Sequence, residues 1–254
     1  MRKKLLTIIA LAALMTACGN HKSEQMKEEV ATVTDSVDVN LADCDITIDD
    51  IHFTKSRHFE ASQLKHEADG WTAFEAKGKT DLFNDPDGWS TSGEGDGRTD
   101  NAAMLLTEID NSKPFTLTAK VRPGFTKGDP YTASVLILWS SQELYHKFCF
   151  EQDERGNHRM VNVRTMGTSD DNNHDIIAGD EAWMKISSNG KKIAFFYSLD
   201  GKEWTMVRLY GNNYPQKLYV GLCSQCPTSE AGTVNRFRDI TLTETSVTDF
   251  RLGK

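Results

Sequence analysis

The stretch "KISSNGKKIAFFYSLDGKEWTMVRLY" (residues 185–210) does most to limit what this chain can fold into. Its apolar residues fall in short runs bounded by turn signals, without the three-to-four residue recurrence of an amphipathic helix. Asn189-Gly190 and Asp200-Gly201 supply the positive φ angles that two-residue turns need, so the segment predicts two hairpins. "PFTLTAKVRP" repeats the logic, with Phe115, Leu117, Ala119 and Val121 on one face and polar residues on the other. "KLYVGLC" and "VNRFRDITLTE" add further strands, and few stretches keep helical periodicity through three turns. The chain is therefore predicted to be all-β, a sandwich or barrel.

The first residues lie outside that fold. "MRKKLLTIIALAALMTACGN" has a cationic start and an apolar run too short to span a bilayer, the pattern of an export signal over residues 1–17. Its end, "MTAC", resembles a bacterial lipoprotein cleavage site, which implies lipidation of Cys18. Gly19 follows where an aspartate would retain a lipoprotein at the inner membrane, so the expected address is the outer membrane, with the protein anchored by lipid. Residues 21–41 are polar and lack aromatics, as a flexible tether would. The expected organisation is a signal peptide over 1–17, lipidated Cys18 and tether over 18–44, and one domain over 45–254. A formal net charge of -8, more acidic once Arg2, Lys3 and Lys4 are removed, argues against nucleic acid as a partner. Beyond Cys18, four cysteines remain: Cys44, Cys149, Cys223 and Cys226, which allow three pairings.

Strand parity sorts side chains by face. In "ELYHKFCFEQ", His146, Phe148 and Phe150 point one way, and Tyr145, Lys147, Cys149 and Glu151 the other. In "MVNVRT", Val161 and Val163 take the core, which turns Asn162 and Arg164 outward. If the two strands are neighbours, one polar face carries Lys147, Glu151, Asn162 and Arg164. "TSDDNNHD" (residues 168–175) then reads as a loop leaving that strand and leaning over the polar face.

Six segments occur in an order that resembles a known family: "TDLFNDPDG", "YHKFCFE", "VNVRTMGTSDDNN", "FFYSLDGKEWTMVRLY", "VGLCSQCPTSEAG" and "TDFRLGK". Over residues 74–254 the chain is similar to domain of unknown function 1349, bacterial concanavalin A-like proteins of a type associated with regulation of enolase. The resemblance implies a two-sheet concanavalin A-like jelly-roll sandwich, a fold that hosts binders and hydrolases alike. It also implies that Lys147, Glu151, Ser169, Asp170, Asp171, Gln225 and Pro227 occupy family-favoured positions. Tyr145 departs from the tryptophan expected there, and Cys223 and Cys226 replace small or apolar residues.

The chemistry of these residues leaves several readings open. A retaining glycosidase needs two carboxyl groups about 5–5.5 Å apart. Glu151 and Asp153 fit the start of the laminarinase-type pattern Glu-x-Asp-x-x-Glu, but Gly156 stands in place of the second glutamate. A Glu151–Lys147 pair along one face is the competing account. Asp81, Asn84, Asp85 and Asp87 offer the oxygens that calcium prefers, although Asp and Asn are also turn residues. "CSQC" lacks a second pair for zinc and a following helix for redox chemistry, which leaves a Cys223–Cys226 disulfide or two thiols at a loop edge. For sugars, Trp139, Trp89 and Tyr145 are the stacking candidates. Lys147, Glu151, Asn162, Arg164, Asp170, Asp171 and Gln225 are the polar contacts, while Trp71, Trp183 and Trp204 are assigned to packing. The leading expectation is a non-catalytic lipoprotein binding a glycan or an envelope protein partner; the alternative is a glycoside hydrolase using Glu151. A third is a structural envelope protein with no small ligand.

Overall fold

Residues 115–122 alternate buried and half-buried without a break, as a pleated strand covered on one face requires. Seventeen strands among the described residues, 40–86 and 98–254, build the computed structural model. In chain order they begin with β1 (Ala42–Ile48), β2 (Ile51–Arg57), β3 (Leu64–His66), β4 (Thr72–Ala76), β5 (Leu82–Asn84) and β6 (Arg98–Asp100). Next come β7 (Ala103–Asp110), β8 (Phe115–Arg122), β9 (Ala133–Ser141), β10 (Leu144–Gln152), β11 (His158–Met166) and β12 (Thr168–Ile176). β13 (Ala182–Ser188), β14 (Lys192–Ser198), β15 (Thr205–Gly211), β16 (Lys217–Gln225) and β17 (Thr233–Thr243) complete the set. Among the described residues the only helical element is a 3-10 turn at Ala61–Gln63, and no helix is long and apolar enough to cross a membrane.

Eight strands form one antiparallel sheet in the order β1-β2-β7-β16-β9-β10-β11-β12, and seven form another in the order β15-β14-β13-β8-β17-β4-β3. Leu136, Phe148 and Phe150 of the larger sheet meet Ile186, Phe195 and Phe237 of the smaller in the main core. Phe148 and Phe195 pack edge to face with ring centres 5.7 Å apart. Burial of each such ring contributes about 1.5–3 kcal/mol, so a handful secures the sandwich. The larger sheet is also covered on its outer face. There Trp139, Tyr145, Cys149, Val161, Val163 and Cys223 form a second apolar cluster with Leu82 of the small β5–β6 hairpin.

Three local expectations are corrected. Both predicted hairpins form, as β13–β14 and β14–β15, but their turns differ from expectation. The first closes one residue later, over Gly190-Lys191, with the Asn189 N–H donating to the Lys192 carbonyl at 3.3 Å, and the second is longer than two residues. In the first, only Gly190 is left-handed (φ 81), and Asn189 Oδ1 accepts the backbone N–H groups of Lys191 and Lys192, each at 3.1 Å. The second runs over residues 199–204, where Asp200 Oδ1 accepts from the N–H groups of Lys202 and Glu203 at 2.8 and 2.9 Å. Those backbone donors hold the Asp200 carboxyl down at about 2. "TSDDNNHD" is not a loop. It is the edge strand β12, following a bend at Gly167 (φ 75) and paired with β11. An exposed edge lets polar side chains keep their water while the backbone gains ladder bonds, so poor strand propensity is overridden.

Candidate functional site

Side chains of alternate β10 residues face away from the smaller sheet, and their cross-strand partners follow. Lys147 lies opposite Ile137 and Val163, and Glu151 opposite Ala133 and Arg159. β16 brings Gln225 to the same face opposite Ala133, and β12 brings Asp171 opposite Val163. Asp81, just before β5, completes the group. Lys147 Nζ donates to Asp81 Oδ1 at 2.9 Å and to Gln225 Oε1 at 3.2 Å. Gln225 Nε2 donates to the Tyr131 carbonyl at 3.0 Å and, at 3.5 Å, to Glu151 Oε2. The direct Lys147–Glu151 pair expected from spacing is thus replaced by Lys147–Asp81, with Gln225 bridging to Glu151. Lys147, Glu151 and Gln225 are only 3%, 7% and 0% exposed, whereas Asp171 is exposed and Asp81 partly so.

Other predicted residues go elsewhere. Phe148 pairs with Asn162 and His146 with Arg164, so Asn162 and Arg164 face the smaller sheet, opposite to Lys147 and Glu151. Asn162 Oδ1 bonds His146 Nε2 at 2.7 Å, and the Arg164 guanidinium lies 4.2 Å from the Tyr210 ring centre. Asp170 turns the same way and accepts from Arg208 at 2.6 Å, which ties β12 to β15 of the other sheet. Of the Ser-Asp-Asp stretch, Ser169 and Asp171 therefore face outward and Asp170 inward. Trp139 and Tyr145 are stacked on each other and fully buried, so neither offers a free face to a sugar.

Asp153 does not stand free beside Glu151: its oxygens are taken by the N–H groups of Arg155 and Asn157 and by the side chains of Asn157 and Arg159. Asn84 donates to the Gln142 and Gly167 carbonyls and Asp85 is buried. Among the described residues no group of three His, Cys, Asp or Glu side chains converges on a metal position. Cys18, Asp87 and Trp89 lie outside the described residues. Cys44, Cys149, Cys223 and Cys226 are all free thiols. Three residues of extended chain separate Cys223 from Cys226 by about 10 Å, too far for a disulfide.

Sequence reasoning missed two features of this face. Arg57 binds Asp100 Oδ2 at 2.9 Å and lies 5.1 Å from the Trp139 ring centre, a buried cation on an outer face. Tyr131 was not singled out because nothing in "GDPYT" announces its left-handed backbone. A separate open cavity of about 690 Å³ lies by residues 122–128 and 152–158, and none of the predicted site residues lines it.

A family model described as "Protein of unknown function (DUF1349)" matches residues 58–245. The chain belongs to that family. No curated protein matches it. Among solved structures, a functionally unknown protein from Saccharomyces cerevisiae is similar with a TM-score of 0.60 at 20% identity, over 74% of this chain and 100% of that one. The Bacteroides ovatus xyloglucan PUL GH43B gives 0.55 at 11% identity, over 81% of this chain and 38% of that one. The GH43 BlXynB protein from Bacillus licheniformis gives 0.51 at 13%, over 73% and 40%. At these identities the likeness is one of fold, and the chain spans about two fifths of each GH43 protein. Together with the two packed sheets, these neighbours establish the jelly-roll class.

Within this DUF1349 domain, burial sets the charge states of the site. Desolvation pushes the Glu151 carboxyl well above the usual range despite the opposing field of Lys147. Asp171 is raised too: its surface is open, but the surrounding protein still strips part of its water, against the opposing field of Lys147. Burial alone would lower Lys147, but the Asp81 carboxylate 2.9 Å from its ammonium outweighs that and keeps it charged. The Cys223 thiol is pushed by burial up to about 12, which makes it inert as a nucleophile. The DUF1349 face therefore presents one lysine already committed to Asp81 and Gln225, a buried carboxyl that resists ionisation, and an exposed Asp171. Such a set donates and accepts hydrogen bonds without an obvious nucleophile.

Proposed function

We propose that this chain is a non-catalytic glycan-binding lipoprotein of the outer membrane, anchored through Cys18, with its site on the outer face of the larger sheet. The observation that carries the reading is Glu151. It is almost wholly buried, yet its one hydrogen bond is the long one from Gln225. Neither carboxyl oxygen is sealed from the surface without a partner, so a saccharide hydroxyl can reach the group and add a second hydrogen bond. Asp81, Asp171 and Gln225 add planar acceptors and donors around it. Similarity in fold to proteins named for xyloglucan and GH43 chemistry supports a sugar as the ligand class.

Hydrolysis is the weaker reading. Acid and base roles need two carboxyl groups with pKa values pushed apart, whereas Glu151 and Asp171 are pushed the same way. Affinity electrophoresis on xylan and xyloglucan, with product analysis of the same incubations, tests this. Retention by wild type and by Glu151→Gln without new reducing ends supports a binding module. Turnover that Glu151→Gln abolishes would make the chain a hydrolase. Membrane fractionation and fatty-acid labelling of wild type against Cys18→Ala test the anchor: an unlabelled wild type removes it.

A further inference from the structure

Tyr131 has a backbone that tyrosine seldom adopts, with φ at 68. Bulky residues avoid this left-handed region because Cβ crowds the following carbonyl, and only strong surrounding contacts hold them there. Both of its peptide groups are pinned. Its N–H donates to the Gln152 carbonyl at 2.6 Å, and its own carbonyl accepts from Gln225 Nε2 at 3.0 Å. Gln225 is also the bridge between Lys147 and Glu151, so one amide holds both the strained tyrosine and the site carboxyl.

The ring is half-exposed, unlike the sealed Trp139 and Tyr145. Phe83, the other half-exposed ring here, already has the Lys147 ammonium 5.9 Å from its centre. Acidic residues flank Tyr131: Gln225 joins its carbonyl to Glu151, and Asp153 and Glu154 directly follow Gln152, whose carbonyl takes its N–H. An anionic ligand at this ring would meet those acids, while the nearby Lys147 is spent on Asp81 and Gln225. Carboxyl oxygens beside an aromatic face suit hydroxyl hydrogens beside the C–H face of a pyranose.

We propose that Tyr131 is the stacking wall of this site and that the ligand is a neutral pyranose saccharide, free of carboxylate and sulfate groups. The inference rests on the glycan-binding reading above and extends it to a residue and a ligand class. Its backbone conformation is maintained for the position of the ring, not for stability.

Calorimetry on the detergent-solubilised full chain tests this with xylohexaose, cellohexaose and a xyloglucan heptasaccharide as neutral probes and hexagalacturonate as the acidic one. Tyr131→Gly should weaken neutral binding about tenfold or more. The same variant should melt no lower than wild type, because glycine takes this φ freely. Tyr131→Phe keeps the ring and should bind within about twofold of wild type, as a stacking role requires. Hexagalacturonate should not bind. Unchanged neutral binding by Tyr131→Gly, or preference for hexagalacturonate, overturns the inference and leaves glycan binding standing. Loss of binding together with a lower Tm makes Tyr131 a structural residue and overturns it as well. A wild type that binds none of the probes removes both readings.

Discussion

Glu151 and His146 stand five residues apart on β10, on opposite faces, and burial acts on them in opposite directions. With its pKa raised, Glu151 holds a proton in the folded chain that the unfolded chain has released. Folded protein then binds more protons, and stability falls as pH rises from the ordinary carboxylate range through the elevated pKa. Glu151→Gln keeps shape and neutrality, so its stability at neutral pH should match or exceed that of wild type, and the gap should widen toward alkaline pH. Denaturant melts from about pH 4 to about pH 9 check this, and a pH-independent difference would refute a raised Glu151 pKa. His146 is lowered well below its usual pKa by burial, with Arg208 and Arg164 adding to the effect. Its contribution is present above about pH 6.5 and is lost as pH falls, because the unfolded chain takes the proton first. His146→Phe should therefore flatten the acid limb of the stability curve while costing about 1–3 kcal/mol at alkaline pH, since Asn162 and the Tyr210 hydroxyl lose their partner. An acid limb identical to wild type would assign that pH dependence to other groups. These residues also mark where sequence parity stops. Alternation correctly separated His146 from Lys147 on one strand, but it could not align two strands. Val161 and Val163 are apolar because the outer face is itself covered, so hydrophobicity did not identify the inner side and Asn162 and Arg164 were assigned to the wrong face.

At the scale of strands, β8 was legible by its alternation and β14 and β16 as short apolar runs, whereas β12 was not. Its eight polar residues after Gly167 match a loop in composition, and only the open edge of β11 makes them a strand. Asp170, Asp171 and Asp175 on that edge also discourage pairing with another chain. A different constraint operates in the middle of the larger sheet. On β16, Gly221 pairs with Leu106 of β7 and Ile137 of β9, and an added Cβ would collide with the Leu105 carbonyl oxygen. Backbone cannot yield as a flexible side chain does, so Gly221→Ala should cost about 3 kcal/mol or more and lower Tm by on the order of 10 °C. Gly211 at the end of β15 has open space around it, and Gly211→Ala should leave Tm unchanged or slightly raised. Thermal melts of the pair decide the point: equal effects would mean that close backbone packing at Gly221 is not what the sheet depends on.

Across the whole molecule, the sandwich has no need of covalent staples. A domain of this size buries enough apolar surface in two clusters to fold without disulfides, even where an exported setting permits them. Cysteine count and the closeness of Cys223 to Cys226 in sequence left a bridge and two free thiols both open; an extended strand carries such neighbours apart, which counting cannot reveal. Cys149 and Cys223 instead behave as small apolar residues of the outer cluster, and Cys226 lies buried with its sulfur 3.6 Å from the Thr132 hydroxyl. Burial raises the Cys149 and Cys223 thiols, which deprives them of the reactive thiolate. Cys44 is half-buried on edge strand β1, with a more modestly raised thiol. In a Cys18→Ala chain, a thiol reagent at mildly alkaline pH should label Cys44 slowly and leave the three buried cysteines untouched until denaturant is added, when all four react. Reductant should leave Tm unchanged, because no disulfide links the folded state. A Tm that falls with reductant, or fewer than four thiols released on unfolding, would mean that a covalent link holds this sandwich after all.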